Sequence, residues 1–301
     1  MADPFVEAGY PSLHDSASAA SLKAQRRFLI AFGIRLGGLL SSTIGGAIFF
    51  AVGASVIGGW IAVVGFAAAL LVELFLALDR ADRKWYEGRA AAESAKTLAW
   101  RYSVRGESFE DSLVQPDLDR VFVERINEVT RDLKDLELEP DGSDSQITDQ
   151  MRTARAAGFE TRKALYRDGR IEDQRSWYVK KAAYNLRRSR QWLVGILVAE
   201  GFGLIAGILT VAALLPLDIL GLFAAVAATA TAWIQAKQHS NLATAYGITA
   251  QELAGVKAEL VNVDEARWSR FVGQAEEAIS REHTLWRASR GIRLLTPKAT
   301  P

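Results

Sequence analysis

The chain has 301 residues, half of them hydrophobic, with no cysteine and three histidines. Its 36 Lys and Arg balance 35 Asp and Glu, a net charge of +1, which leaves no global electrostatic case for nucleic-acid binding. The histidine and cysteine counts exclude a disulfide scaffold, a zinc finger and a thiol nucleophile, and the apolar content excludes disorder throughout.

The apolar residues are placed unevenly. From Leu36 to Val72 there are 37 consecutive residues without Asp, Glu, Lys or Arg, flanked by Arg35 and Glu73. One membrane crossing needs about 20 apolar residues, so this run predicts two crossings, at about 31–52 and 60–78. Gly53 to Trp60 carries small residues and a Trp, and reads as the turn with Trp60 at the far interface. The run starts too late and is too long for a secretory signal peptide. A second hairpin follows at about 192–215 and 219–236, with Pro216-Leu217-Asp218 as its turn. Its apolar sequence is broken by Glu200.

Basic residues set the orientation. Lys23, Arg26 and Arg27 precede the first crossing, and Arg80, Arg83, Lys84 and Arg89 follow the second. Lys180, Lys181, Arg187, Arg188 and Arg190 precede the third, and Lys237 follows the fourth. Neither short turn holds Lys or Arg. Both termini and the long segments are therefore expected in the cytoplasm.

Arg35, Glu73, Glu200 and Gln235 all fall about 22–27 Å from the exported turns at 1.5 Å per residue, and so form one expected polar layer. Two readings compete for it. An Arg35–Glu73 ion pair pins the first hairpin, or Glu73 or Glu200 faces a water-filled path and selects cations.

Outside the hairpins the pattern stays helical. Leu71, Leu74, Leu78, Ala81, Trp85, Gly88, Ala92, Ala95, Ala99 and Tyr102 follow 3-4 spacing, a heptad seam expected to run from the bilayer into the cytoplasm. Its later part is mostly small residues, where a neighbouring helix can approach closely. Trp85, Gly88, Ala92, Ala95, Ala99 and Trp100, with Trp177 and Tyr178 further on, are the expected cytoplasmic packing residues. Residues 111–150 hold twelve Asp or Glu against four Lys or Arg, and residues 151–190 reverse those numbers. Either the two stretches pair with each other, within or between subunits, or, the preferred reading, the basic stretch is a solvated helix plus the positive flank on the membrane side. Glu139 to Ser145 reads as a linker, giving expected domains 1–140 and 141–301. Leu253, Val256, Leu260 and Val263, then Trp268, Val272, Ala275, Ile279 and Trp286, are amphipathic. The expected fold is an all-α membrane protein of two transmembrane hairpins with long cytoplasmic helices.

No conventional active site is present: no P-loop, no dinucleotide glycine fingerprint and no His-Glu-x-x-His. His14, His239 and His283 stand far apart, so no metal site, cofactor or catalytic residue is expected. The Gly37-Gly38, Gly45-Gly46 and Gly58-Gly59 pairs suit close helix packing in lipid.

Certain words around the hairpins carry a family resemblance. Before the first crossing stand Tyr10-Pro11-Ser12-Leu13 and Ser21 with Gln25. After the second come Trp85, Arg89-Ala90, Glu93-Ser94, Lys96-Thr97 and Trp100-Arg101-Tyr102. This half resembles the SLATT two-transmembrane effector domains of bacterial conflict systems. The second half resembles another SLATT subtype. It opens on Ile147-Thr148, Met151-Arg152 and Arg155, and continues with Arg162, Tyr166, Arg170, Asp173-Gln174, Trp177-Tyr178, Lys181-Ala182 and Asn185. Past the hairpin, Trp268, Phe271-Val272, Glu276 or Glu277, Ser280, Glu282 and Trp286 fit as well.

The resemblance implies two fused membrane effectors in the bacterial inner membrane. It also implies an oligomer that forms a pore or disrupts the bilayer once infection is sensed. The expected partners are the lipid bilayer, further copies of the chain, and a nucleotide second messenger or a sensor or synthetase protein, but no nucleic acid. Alternative functions are a small proton-coupled transporter using Glu200 and a non-conducting membrane scaffold. The topology is open to test because the chain lacks cysteine. A cysteine introduced into the 53–59 turn should react with an impermeant reagent from outside, and one near residue 140 should not. The reverse pattern overturns this orientation.

Overall fold

The structure, a computed structural model, describes residues 9–51, 53, 55–110, 115–139, 145–214 and 219–288, with side chains described up to residue 280. Every regular element among these residues is helical. In chain order they are α1 (Ser12–Ala51), α2 (Val56–Asp79), α3 (Ala81–Ser103), α4 (Gln115–Arg131), α5 (Asp149–Ala156) and α6 (Phe159–Tyr166). A π-helical turn, Arg167–Glu172, leads into α7 (Asp173–Val211), and α8 (Ile219–Lys237), α9 (His239–Leu260) and α10 (Glu265–Ala288) follow. Among the described residues four helical stretches are long and apolar enough to cross a membrane, and the chain is a multi-pass membrane protein. The expected crossings lie in the second half of α1, in α2, in the second half of α7 and in α8. Of the expected turns and linker, Pro216-Leu217-Asp218 and residues 140–144 lie outside the described residues. Gly53 is described and has a φ of +68°, a conformation that suits glycine in a tight turn.

The chain divides into two compact units, and each takes residues from both halves of the sequence. The membrane unit comprises Gln25–Ala81 and Ala182–Thr244, and the polar unit holds the remainder.

In the membrane unit, α1 and α2 touch backbone to backbone. A Cβ added to Gly38 would lie 2.6 Å from the Gly65 carbonyl oxygen, and one added to Gly45 only 2.5 Å from the Ala62 nitrogen. From the other side, a Cβ on Gly58 would lie 2.6 Å from the Phe49 nitrogen, and one on Gly65 would lie 2.7 Å from the Gly38 oxygen. Gly38 and Gly45 are seven residues apart, as are Gly58 and Gly65, so each pair recurs on one helix face. Lipid tails are as apolar as leucine, so burial of apolar surface does not drive helices together in a bilayer; close van der Waals contact at small residues does. The glycine doublets are thus split. Gly38 and Gly45 face the partner helix, while Gly37 and Gly46 meet nothing within 4 Å.

The α7–α8 hairpin packs differently. Would-be Cβ atoms on Gly203 and Gly207 come 3.1 Å from Phe223 and 3.2 Å from Leu220. Side chains of α8 therefore fill notches in α7. Buried Ala206 and Ala227 continue this interface, and Phe202 stacks on Phe223 at 5.9 Å. The hairpins meet where Trp233 of α8 stacks on Phe32 of α1 at 6.4 Å, over the bare Gly33.

In the polar unit the small-residue face of α3 receives the start of α1. Ser21 Oγ donates to the Trp85 carbonyl at 2.9 Å, and a Cβ on Gly88 would lie 2.9 Å from the Ala17 oxygen. Ala17, Ala91 and Ala92 form one buried cluster, closed by Val129, Leu133 and Leu138. Ala95, Ala99 and Trp100 are fully buried, whereas Trp85 is half-buried and stacks on Tyr86. Tyr178 is buried and the exposed Trp177 is beside it, and both rings contact Tyr246, at 5.5 and 5.3 Å.

The expected unbroken seam from Leu71 to Tyr102 is interrupted. Arg80 adopts a left-handed conformation, φ 49° and ψ 37°, and closes α2. The next helix restarts in a new phase: Leu71, Leu74 and Leu78 are exposed, while Ala81, Gly88, Ala92, Ala95, Ala99 and Tyr102 are buried. Gln238, with φ 52°, makes the same break between α8 and α9. The acidic and basic stretches meet through Arg152 and Asp119, 2.8 Å apart. Other basic groups turn elsewhere: Arg155 donates to the Tyr102 and Phe109 carbonyls, and Arg162 pairs with Glu265.

The split doublets generate a paired test. Gly45→Ala should force α1 and α2 apart and destabilise the hairpin by about 1–3 kcal/mol, the usual cost of overpacking. Gly46→Ala, one residue away, should be tolerated. Thermal unfolding in detergent distinguishes them, and equal effects would remove the backbone contact.

Candidate functional site

The four intramembrane polar residues do not form a single cluster. Arg35 of α1 and Glu73 of α2 are ion-paired, and the Arg35 guanidinium also lies over the Phe32 ring at 5.8 Å. Further along the same two helices Arg27 faces Asp79 at 3.8 Å. The first hairpin therefore offsets two guanidiniums with its own carboxylates. Glu200 and Gln235 are exposed on α7 and α8, and neither joins the Arg35–Glu73 pair. The layer is also staggered. Arg35 lies about 24 Å from the end of α1 at Ala51, and Glu73 about 26 Å from the start of α2 at Val56. Gln235 lies about 24 Å from the start of α8 at Ile219, but Glu200 only about 16 Å from the end of α7. The difference arises because α7 stops at Val211, ahead of Ala213, whose φ is 57°.

A second polar centre, in the polar unit, was not singled out by sequence reasoning. Arg170 and Glu276 are both fully buried and form a two-pronged pair. Arg170 Nε donates to Glu276 Oε1 at 2.9 Å and its Nη2 to Oε2 at 2.6 Å. The same carboxylate accepts from the Tyr166 hydroxyl at 3.0 Å and from Thr97 Oγ1 at 3.0 Å. Trp100 packs edge-on against Tyr166 at 5.9 Å and donates its indole N–H to the Tyr10 hydroxyl at 3.1 Å. The geometry has a local cause. The π-helical turn widens the backbone at Arg167–Glu172, shifts the helical phase, and puts Gly169, Arg170 and Ile171 all inside.

Electrostatics keep this centre in one state. Burial alone would lower the Arg170 guanidinium below its ordinary value, but the Glu276 carboxylate beside it outweighs that and raises it. Burial, then the Glu276 charge, pushes the Tyr166 hydroxyl well above its ordinary value, so it stays a donor. Four donated bonds occupy both oxygens of the Glu276 carboxylate. The centre is a structural latch.

A smaller network lies at the end of α3. Tyr102 donates to Asp119 at 2.7 Å, and Gln115 and Arg152 donate to the same carboxylate. Burial, followed by the bond to Asp119, pushes Tyr102 up to about 12. Burial pushes Asp119 upward too, but its three donors together hold it below the ordinary carboxylate value. The Tyr102 contribution is thus complete below pH 10 and lost as pH rises through about 12. The Asp119 contribution is complete above the unfolded carboxylate value and lost as pH falls through its depressed folded one.

Comparison with known families divides the chain within the last turn of α6. Residues 11–163 match the family model described as SMODS and SLOG-associating 2TM effector domain 3. Residues 166–286 match that of SMODS and SLOG-associating 2TM effector domain 1. No curated protein and no solved structure matches. The latch straddles the two regions: Thr97 and Trp100 come from the first, Tyr166, Arg170 and Glu276 from the second.

Removing one partner of a buried ion pair leaves an uncompensated charge and costs about 3–5 kcal/mol. Arg170→Met or Glu276→Leu alone should therefore lower the thermal midpoint sharply. The double replacement should recover part of it, since packed apolar side chains often match a buried pair, while the Tyr166 and Thr97 hydroxyls still lack the acceptor they had in Glu276. A double variant as damaged as either single one would assign the stability to another contact.

Proposed function

This chain belongs to the SLATT family of SMODS and SLOG-associating 2TM effector domains, and from that premise we propose that it assembles into an oligomeric pore triggered from the cytoplasm. The family makes it a membrane-associated effector of a conflict system. The pore reading rests on one observation above all. Glu200 is exposed on α7, about 16 Å from the helix end, beside the exposed Leu197, Phe202 and Leu204. The hydrocarbon core is about 30 Å thick, so this carboxylate belongs near its middle. A charge there costs about 2.5–3.5 kcal/mol on insertion scales. Neighbouring subunits or a water-filled path relieve that cost, and an oligomeric pore supplies both.

In this reading the Arg35–Glu73 pair holds the first hairpin and Glu200, with Gln235, lines the path and favours cations. Both termini face the cytoplasm of a bacterial inner membrane, a reading the basic flanks support. The trigger is a nucleotide second messenger or a sensor or synthetase partner that meets the polar unit, and the chain itself is not an enzyme.

Ion flux from vesicles tests the reading. Wild type should release monovalent ions, and Glu200→Gln should change cation selectivity while the protein still inserts and assembles. Unchanged selectivity removes Glu200 from the path. Proton-coupled export of a cationic dye, abolished in Glu200→Gln, would identify a transporter, and no flux under any trigger would leave a scaffold.

A further inference from the structure

On α7, ahead of the apolar stretch, an open groove of about 560 Å³ is lined by Ala183, Leu186, Arg187, Arg190, Gln191 and Val194. These positions recur at helical spacing, so they form one face. Arg187 and Arg190 are exposed, and among the described residues neither makes an ion pair or hydrogen bond. The contrast with their neighbours is local. Arg188 donates to Tyr184 Oη and Gln191 Oε1, and in the first hairpin Arg27 and Arg35 face Asp79 and Glu73.

Below the two guanidiniums the same face turns wholly apolar. Val194, Leu197, Leu204 and Ile208 are 59, 57, 65 and 60% exposed, and Gly201 between them leaves open space. One surface therefore carries two unpaired cations at one end and a continuous apolar strip beyond. The height is right as well. Arg190 lies 21 residues before Val211, about 32 Å along the helix, and Arg187 about 36 Å. A hydrocarbon core of about 30 Å leaves both groups at headgroup level. Tyr184 and Trp192 bracket them, as interfacial aromatic residues do.

We propose that this face of α7 is a binding site for an anionic phospholipid, with Arg187 and Arg190 holding the phosphate and an acyl chain lying along Val194, Leu197, Gly201 and Leu204. A guanidinium fork matches phosphate oxygens in geometry as well as charge. A zwitterionic lipid offers the same acyl chains but no net charge, so the guanidiniums provide the selectivity. The inference is independent of conduction through Glu200.

The test uses the full chain in nanodiscs of phosphatidylcholine carrying trace fluorescent phosphatidylglycerol. Wild type should enrich phosphatidylglycerol over phosphatidylcholine at least tenfold, a preference that falls with added salt. Arg187→Gln with Arg190→Gln should abolish the enrichment, whereas the double Lys variant should retain most of it. Arg120→Gln, the same change of charge on α4 of the polar unit, should leave it intact. Circular dichroism and elution volume confirm that each variant is folded. Loss of enrichment in the folded Gln variant, with retention in the Lys variant, supports the site. No preference in wild type, or an undiminished preference in the Gln variant, overturns it. A Gln variant that loses oligomers but keeps the lipid preference also overturns it, and makes the face a contact between copies.

Discussion

A buried guanidinium and carboxylate cannot be satisfied in stages, and the polar unit is organised around that fact. Glu276 needs Thr97 from α3, Tyr166 from the end of α6 and Arg170 from the π-helical turn at the same moment. Sequence separations of 179, 110 and 106 residues close on one carboxylate. With any part of that arrangement missing, a charge remains in a low-dielectric interior without compensation. Two regions that match separate family models are thereby made mutually dependent. Neighbouring contacts reinforce the closure: the Trp268 indole donates to the Val104 carbonyl, and Arg101 to that of Gly273.

The membrane unit is held by another kind of force. With no water to expel, its helices depend on how closely their surfaces fit. The first hairpin reaches that fit by deleting side chains on both helices, so backbones meet at Gly38, Gly45, Gly58 and Gly65. The second deletes them on α7 alone and fills the notches with Leu220 and Phe223. The first solution is rigid toward any added carbon atom. The second is adjustable, because the filling groups are side chains with rotamers of their own.

The hairpins were legible because a water-soluble core rarely contains uncharged runs of such length, and the small-residue face of α3 was legible from spacing. The break at Arg80 was not. A left-handed residue between helices usually advertises itself as Gly or Asn, and arginine in that role carries no sequence mark; Gln238 hides the second break in the same way. The glycine doublets identified which segments approach, but the phase that selects Gly38 over Gly37 comes only from the partner helix. The latch was half visible. Thr97, Tyr166 and Arg170 lay in words read as flanks of the hairpins, and Glu276 stood beside Glu277 as an open choice. Helical phase could have decided it, since Glu276 is four residues after buried Val272 and three before buried Ile279, whereas Glu277 falls on the exposed face. That Arg170 should be its partner could not be read, because spacing carries no information across 106 residues.

Charge placement gives the two hairpins different roles. In the first, Arg27 and Arg35 face Asp79 and Glu73, so it asks little of its surroundings beyond apolar contact. In the second, Arg187, Arg190 and Glu200 lie exposed on α7 with no such partners among the described residues. A charged side chain near a bilayer is accommodated by water, lipid headgroup or another protein, and on α7 the chain itself does not supply that accommodation among the described residues. The same helix begins at Asp173, immediately after the turn that buries Arg170. The residues that lock the polar unit and those that meet the environment of the membrane unit thus lie on one continuous stretch of helical backbone.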